Sequence, residues 1–83
     1  MAYYEILIQT MADGTHAKAL YEHSTLAAAK QACYAELAAG MASPSLRSVM
    51  VQVIDDDGGY ELGIKEAGAY VEPEQPETAP EEA

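Results

Sequence analysis

Only one stretch of this chain suits a helix, and it lies in the middle. From Leu26 to Ala39 there are seven alanines and no glycine or proline. Leu26, Ala29, Cys33 and Leu37 recur at helical spacing, with Tyr34 and Met41 beside that stripe. Ser24 or Thr25 supplies an N-cap oxygen. Gly40 permits a left-handed stop, and Pro44 prevents the helix from resuming. A single helix can cover only one face of whatever sheet the flanking segments form.

Those segments read as strands. Tyr3 to Thr10 is rich in Tyr, Ile and Leu, which suit a pleated sheet, and Asp13-Gly14 is a hairpin turn leading into a return strand over Thr15 to Glu22. After the helix, Leu46 to Ile54 is apolar on both faces, as a central strand requires. Asp55 to Gly59 turns the chain, and Tyr60 to Lys65 is the last strand, with Tyr60, Leu62 and Ile64 on one face. The expected fold is α+β: ββαββ, a four-stranded antiparallel sheet in the order 2-1-3-4, with a right-handed crossover through one helix packed on one face. The domain is expected over 1–70. Residues 71–83 are almost all Glu, Pro and small side chains, a composition that cannot offset the entropy of ordering, so a disordered acidic tail is expected there.

Composition narrows the function. In 83 residues there are 14 acidic and 4 basic side chains, a net charge of −10. Five of the acids lie in the last twelve residues, so the folded part is only moderately acidic. Binding to a phosphate backbone needs clustered Lys and Arg, and nucleic acid is not an expected partner. One cysteine allows no internal disulfide, which fits a reducing cytoplasm. Apolar runs such as Ile6-Leu7-Ile8 are too short for a membrane span, and the start has no basic and apolar targeting pattern.

Catalytic and metal chemistry finds little support. Cys33 with His16 or His23 could in principle act as nucleophile and base, or join in a zinc site, but no motif surrounds them and no close-spaced ligand pair exists. A buried small residue on the helix stripe explains Cys33. Asp55-Asp56-Asp57-Gly58 resembles the start of a calcium loop. With Gly58 at the sixth position, Ile64 falls at the twelfth, where a bidentate Glu is required. No catalytic residue, metal ligand or cofactor is expected, and the chain reads as a non-enzyme.

The informative feature is the face left bare. Placing Tyr4, Ile6 and Ile8 against the helix with Val49, Val51 and Val53 leaves Tyr3, Leu7, Leu20, Met50, Gln52 and Ile54 as the candidate interaction surface. Tyr3 and Tyr21 are the tyrosines suited to an interface, whereas Tyr4, Tyr34 and Tyr60 suit sheet packing. A protein partner or a second copy in a homodimer would cover this face, or residues 66–71 would fold back over it.

Tyr3-Tyr4-Glu5-Ile6-Leu7-Ile8-Gln9, the Asp13-Gly14 turn, the Ala-rich helix and Val51-Gln52-Val53-Ile54-Asp55 resemble a group of short uncharacterised proteins of gut Firmicutes and their phages or prophages. The resemblance spans most of the chain and carries no catalytic motif. It implies a genomic setting only. Small size, acidity, the uncovered sheet face and the lack of enzyme motifs point to a protein-binding module, such as a phage-encoded modulator or inhibitor of a host protein. The alternative is a self-associating assembly protein.

Overall fold

A computed structural model describes residues 2–73; the expectation of a disordered tail over 71–83 falls mostly outside them. Strands β1 (Tyr3–Met11) and β2 (His16–His23) form the first hairpin. Helix α1 (Leu26–Met41) follows, and β3 (Leu46–Asp55) and β4 (Tyr60–Ala67) form the second hairpin. The strands make one antiparallel sheet in the order β2-β1-β3-β4, and the helix packs on it, as expected.

Both turns use a glycine where the backbone requires positive φ. Gly14 (φ 92°) closes β1–β2, where Asp13 Oδ1 accepts from the Thr15 amide at 2.9 Å and its hydroxyl at 2.7 Å. The hydroxyl bond first, then the amide bond, holds the Asp13 carboxyl below its ordinary value. Gly58 (φ 84°) closes β3–β4, where Asp55 Oδ1 accepts from the amides of Asp57 and Gly59. That use explains the acidic run as turn chemistry.

Helix α1 starts at Thr25, whose hydroxyl accepts from the Ala28 amide at 3.1 Å. Its end differs from expectation. Gly40 is not a left-handed stop but a buried residue inside the helix, and the cap is Ala42 in a right-handed conformation. Gly40 is needed for close approach: a Cβ there would sit 2.8 Å from Val49 Cβ. The buried stripe Ala29, Cys33, Leu37 and Gly40 is mostly small, so the helix lies tight on the sheet.

The core joins that stripe to Leu7, Val49, Val51 and Val53, with Tyr3, Ala19, Leu26, Leu62 and Ile64 packed around it. Pairing fixes the faces. Leu7 stands opposite Val51 and Glu5 opposite Val53, so the odd positions of β1 share the helix side with the odd valines of β3. This reverses the expected facing of β1. Leu7 is buried in the core and Tyr3 packs against it, while Tyr4, Ile6 and Ile8 point to the other side. The physical reason is Glu5. A polar residue in a strand ordinarily marks the solvent face, but here it is fully buried under the helix.

After β4 the chain turns back to the start of β3. The amides of Gly68, Ala69 and Tyr70 donate to the carbonyls of Arg47, Ser43 and Leu46 at 2.9–3.0 Å. The Arg47 guanidinium lies 4.8 Å from the Tyr70 ring centroid, donates to the Ala12 carbonyl, and meets Glu72 at 2.9 Å. These bonds tie residues 68–72 to the α1–β3 end of the domain.

Candidate functional site: the open sheet face and the polar cluster beneath the helix

The face opposite the helix is built of four cross-strand rows, the one at the Thr10 end being His16, Thr10, Ser48 and Ala67. Lys18, Ile8, Met50 and Lys65 form one row, and Leu20, Ile6, Gln52 and Gly63 the next. Glu22, Tyr4, Ile54 and Tyr60 form the third. Tyr60 reaches this face because the register shifts between Val53 and Ile54. It therefore does not share a side with Leu62 and Ile64 as its spacing predicts. A Cβ on Gly63 would lie within 3.1 Å of the Tyr60 ring, so the ring lies over the bare glycine.

Of the six candidate surface residues, the structure brings Leu20, Met50, Gln52 and Ile54 together on this face and puts Tyr3 and Leu7 on the other. Ile6, Ile8, Tyr4 and Tyr60 take their places. Leu20 and Tyr60 are 66% and 68% exposed, whereas the central Ile6, Ile8, Met50 and Ile54 are half-buried against one another. The face is thus an apolar centre with Lys18 and Lys65 on opposite edge strands. Those are two of the chain's four basic residues, within a molecule of net charge −10. Among the tyrosines, Tyr21, Tyr34 and Tyr60 are exposed and Tyr3 is not, so packing and interface roles are partly exchanged from expectation.

The second unusual place is internal. Glu5 Oε1 accepts from His23 Nε2 at 3.0 Å, and Glu5 Oε2 is buried without a partner. Glu36 on α1 lies beside it, close enough for the Glu5 carboxyl to act on its titration, and Glu36 Oε1 is likewise buried and unpartnered. Burial, then the Glu5 carboxyl, raises Glu36 to about 7. Cys33 adjoins the same pair. Burial, then the charges of Glu5 and Glu36, pushes its thiol up to about 12, which disfavours the thiolate a nucleophile needs. His23 therefore turns to Glu5, and His16 lies 3.2 Å from the Thr10 hydroxyl.

Neither the turn nor the surface groove adds chemistry. Carboxylate oxygens of Asp55, Asp56 and Asp57 lie within 4.8 Å of one another, and Asp55 Oδ1 accepts from the amides of Asp57 and Gly59. A shallow groove of about 380 Å³ is lined by Gln9, Met11, Ala39, Gly40, Ser43, Ser45 and Leu46, none of them an acid, base or thiol. Among the described residues, no helix is long and apolar enough to cross a membrane. No protein-family model, curated protein or solved structure matches this chain.

Proposed function

We propose that this chain is a non-enzymatic protein-binding module whose working surface is the open sheet face. The observation that carries the reading is the juxtaposition of Ile6, Ile8, Met50 and Ile54 with two exposed side chains, Leu20 and Tyr60, and two flanking lysines. An apolar centre loses water at little cost on binding, while Lys18 and Lys65 set orientation. The partner this chemistry fits is a protein with an apolar patch rimmed by carboxylates. A phage-encoded modulator or inhibitor of a host protein, acting in the cytoplasm, is the setting we favour. The deeply protonated Cys33 and the absence of titratable groups in the groove support a binding role over catalysis.

The test is a tagged pulldown comparing wild type, Met50→Glu and Tyr34→Ser, the last an exposed site on the helix. A stoichiometric partner retained by wild type and Tyr34→Ser but lost with Met50→Glu supports the reading. Equal retention by all three contradicts it. Self-association is the second reading, favoured by the half-buried apolar centre over a small core. Each large apolar side chain left in water forgoes roughly 1.5–3 kcal/mol of burial. A two-fold pairing through one patch would recover part of it. Light scattering after size exclusion separates the two readings: a dimer that Met50→Glu splits supports the second, and a monomer at high concentration removes it.

A further inference from the structure

We propose that Glu5 and Glu36 form a proton-dependent latch between sheet and helix, gripping α1 while the two carboxyls share a proton and loosening when that proton leaves. The two groups belong to different elements, β1 and α1, and meet at the packed interface. Each presents a buried oxygen with no partner, Glu5 Oε2 and Glu36 Oε1. Two carboxylates are acceptors only, so they cannot satisfy one another. One proton converts the repulsion into an O–H···O bond across the interface. Glu5, which carries half of this contact, is 0% exposed, and Glu36 is partly buried, so water screens the contact less than it would a surface pair.

The surroundings leave the proton as the means of joining them. From β2, His23 binds the other Glu5 oxygen, and Tyr21 is the cross-strand neighbour of Glu5. From β3 the facing residue is Val53, without charge; Asp55 lies further along, opposite Tyr3. From α1, Cys33 offers a weak thiol donor beside Glu5. Lys30 falls by helical spacing on the flank of the buried stripe away from Glu36. From β4, Leu62 packs at this level. Among the described residues, the basic group bonded to this pair is His23 on β2, and it serves Glu5 Oε1. Glu36, raised to about 7, brings the latch into the neutral range.

The direct test is a carbon-13 titration of the full chain labelled at its glutamate carboxyls. It is paired with thermal unfolding of wild type, Glu36→Gln and Glu5→Gln. The latch predicts one carboxyl signal titrating near pH 7, missing from the Glu36→Gln spectrum. It also predicts that wild type loses about 10–20 °C of melting temperature relative to Glu36→Gln between about pH 5 and pH 8. Glutamine keeps a donor in place, so Glu36→Gln is expected to stay folded and to flatten the profile. Wild-type titration stands by itself if either variant fails to fold. Titration of every carboxyl below about pH 5 overturns the proposal. So does loss of the pH dependence on adding magnesium or zinc chloride, which would place a cation where the proton is assigned.

Discussion

The two faces of the sheet solve opposite problems with similar residues. On the helix side the contacts are small and closed: Ala29, Cys33 and Gly40 against Val49, Val51 and Val53, with no room for a methyl group at Gly40. That side nonetheless holds the carboxyl of Glu5, bonded to His23 and set beside Glu36. On the open side the residues are larger and more apolar, yet nothing among the described residues covers them. A polar group inside and isoleucines outside is costly for folding alone. A titratable contact inside and a partner-binding surface outside, as we propose, account for both.

The sharpest way to break this comparison is a pair of neighbouring substitutions. Leu7→Glu puts an unpaired charge in the core and is expected to cost more than about 4 kcal/mol, enough to unfold so small a domain. Ile8→Glu, one residue on, points to the open face and is expected to cost less than about 1 kcal/mol by circular dichroism melts. Equal costs would erase the distinction between faces.

The pH profile comes next in size. The ordinary value of Glu36 is 4.5 and its folded value about 7. Below the lower value both folded and unfolded chains hold the proton, and its contribution is whole. Between the two the unfolded chain has released it while the folded chain keeps it, so stability falls as pH rises and levels off above about 7. The loss is on the order of 2–3 kcal/mol in wild type and should vanish in Glu36→Gln, read from denaturant midpoints.

Gly40→Ala tests the closeness of the helix side alone. Its Cβ would meet the branched Val49 side chain, and overpacking of this kind costs about 1–3 kcal/mol. The double variant with Val49→Ala should recover part of that loss. The smallest effect is expected from truncation after Tyr70. It removes Glu72, whose bond to Arg47 is exposed, and exposed ion pairs contribute about 0–1 kcal/mol. A fall of many degrees in melting temperature would show that residues past 70 pack on the domain.

Much of this fold is written in local signals. Asp13-Gly14 and Asp55 to Gly59 turn where they should, Thr25 caps, and the apolar content of β1 and β3 sets them at the centre of the sheet. The facing of β1 is not local information. Tyr4, Ile6 and Ile8 and the alternate Tyr3 and Leu7 are both apolar sets, so Glu5 and Gln9 decide the parity by their polarity, and a buried Glu5 inverts that rule. Its partners His23 and Glu36 are eighteen and thirty-one positions away in sequence, beyond any spacing rule. The shift that brings Tyr60 to the open face arises from the register of β3 with β4, again invisible in either strand alone. Four of the six candidate surface residues, those on β2 and β3, are therefore legible in the sequence, and the two on β1 are not.

Methyl relaxation by a soluble gadolinium chelate tests the central claim most directly, since it reads which side of each strand meets solvent in the folded chain at low concentration. The account predicts strong enhancement at the methyls of Ile6, Ile8, Leu20, Met50 and Ile54 and protection at Leu7, Val49, Val51 and Val53. Protection of Ile6 and Ile8 together with exposure of Leu7 would contradict it and return β1 to the facing that its polar residues suggest.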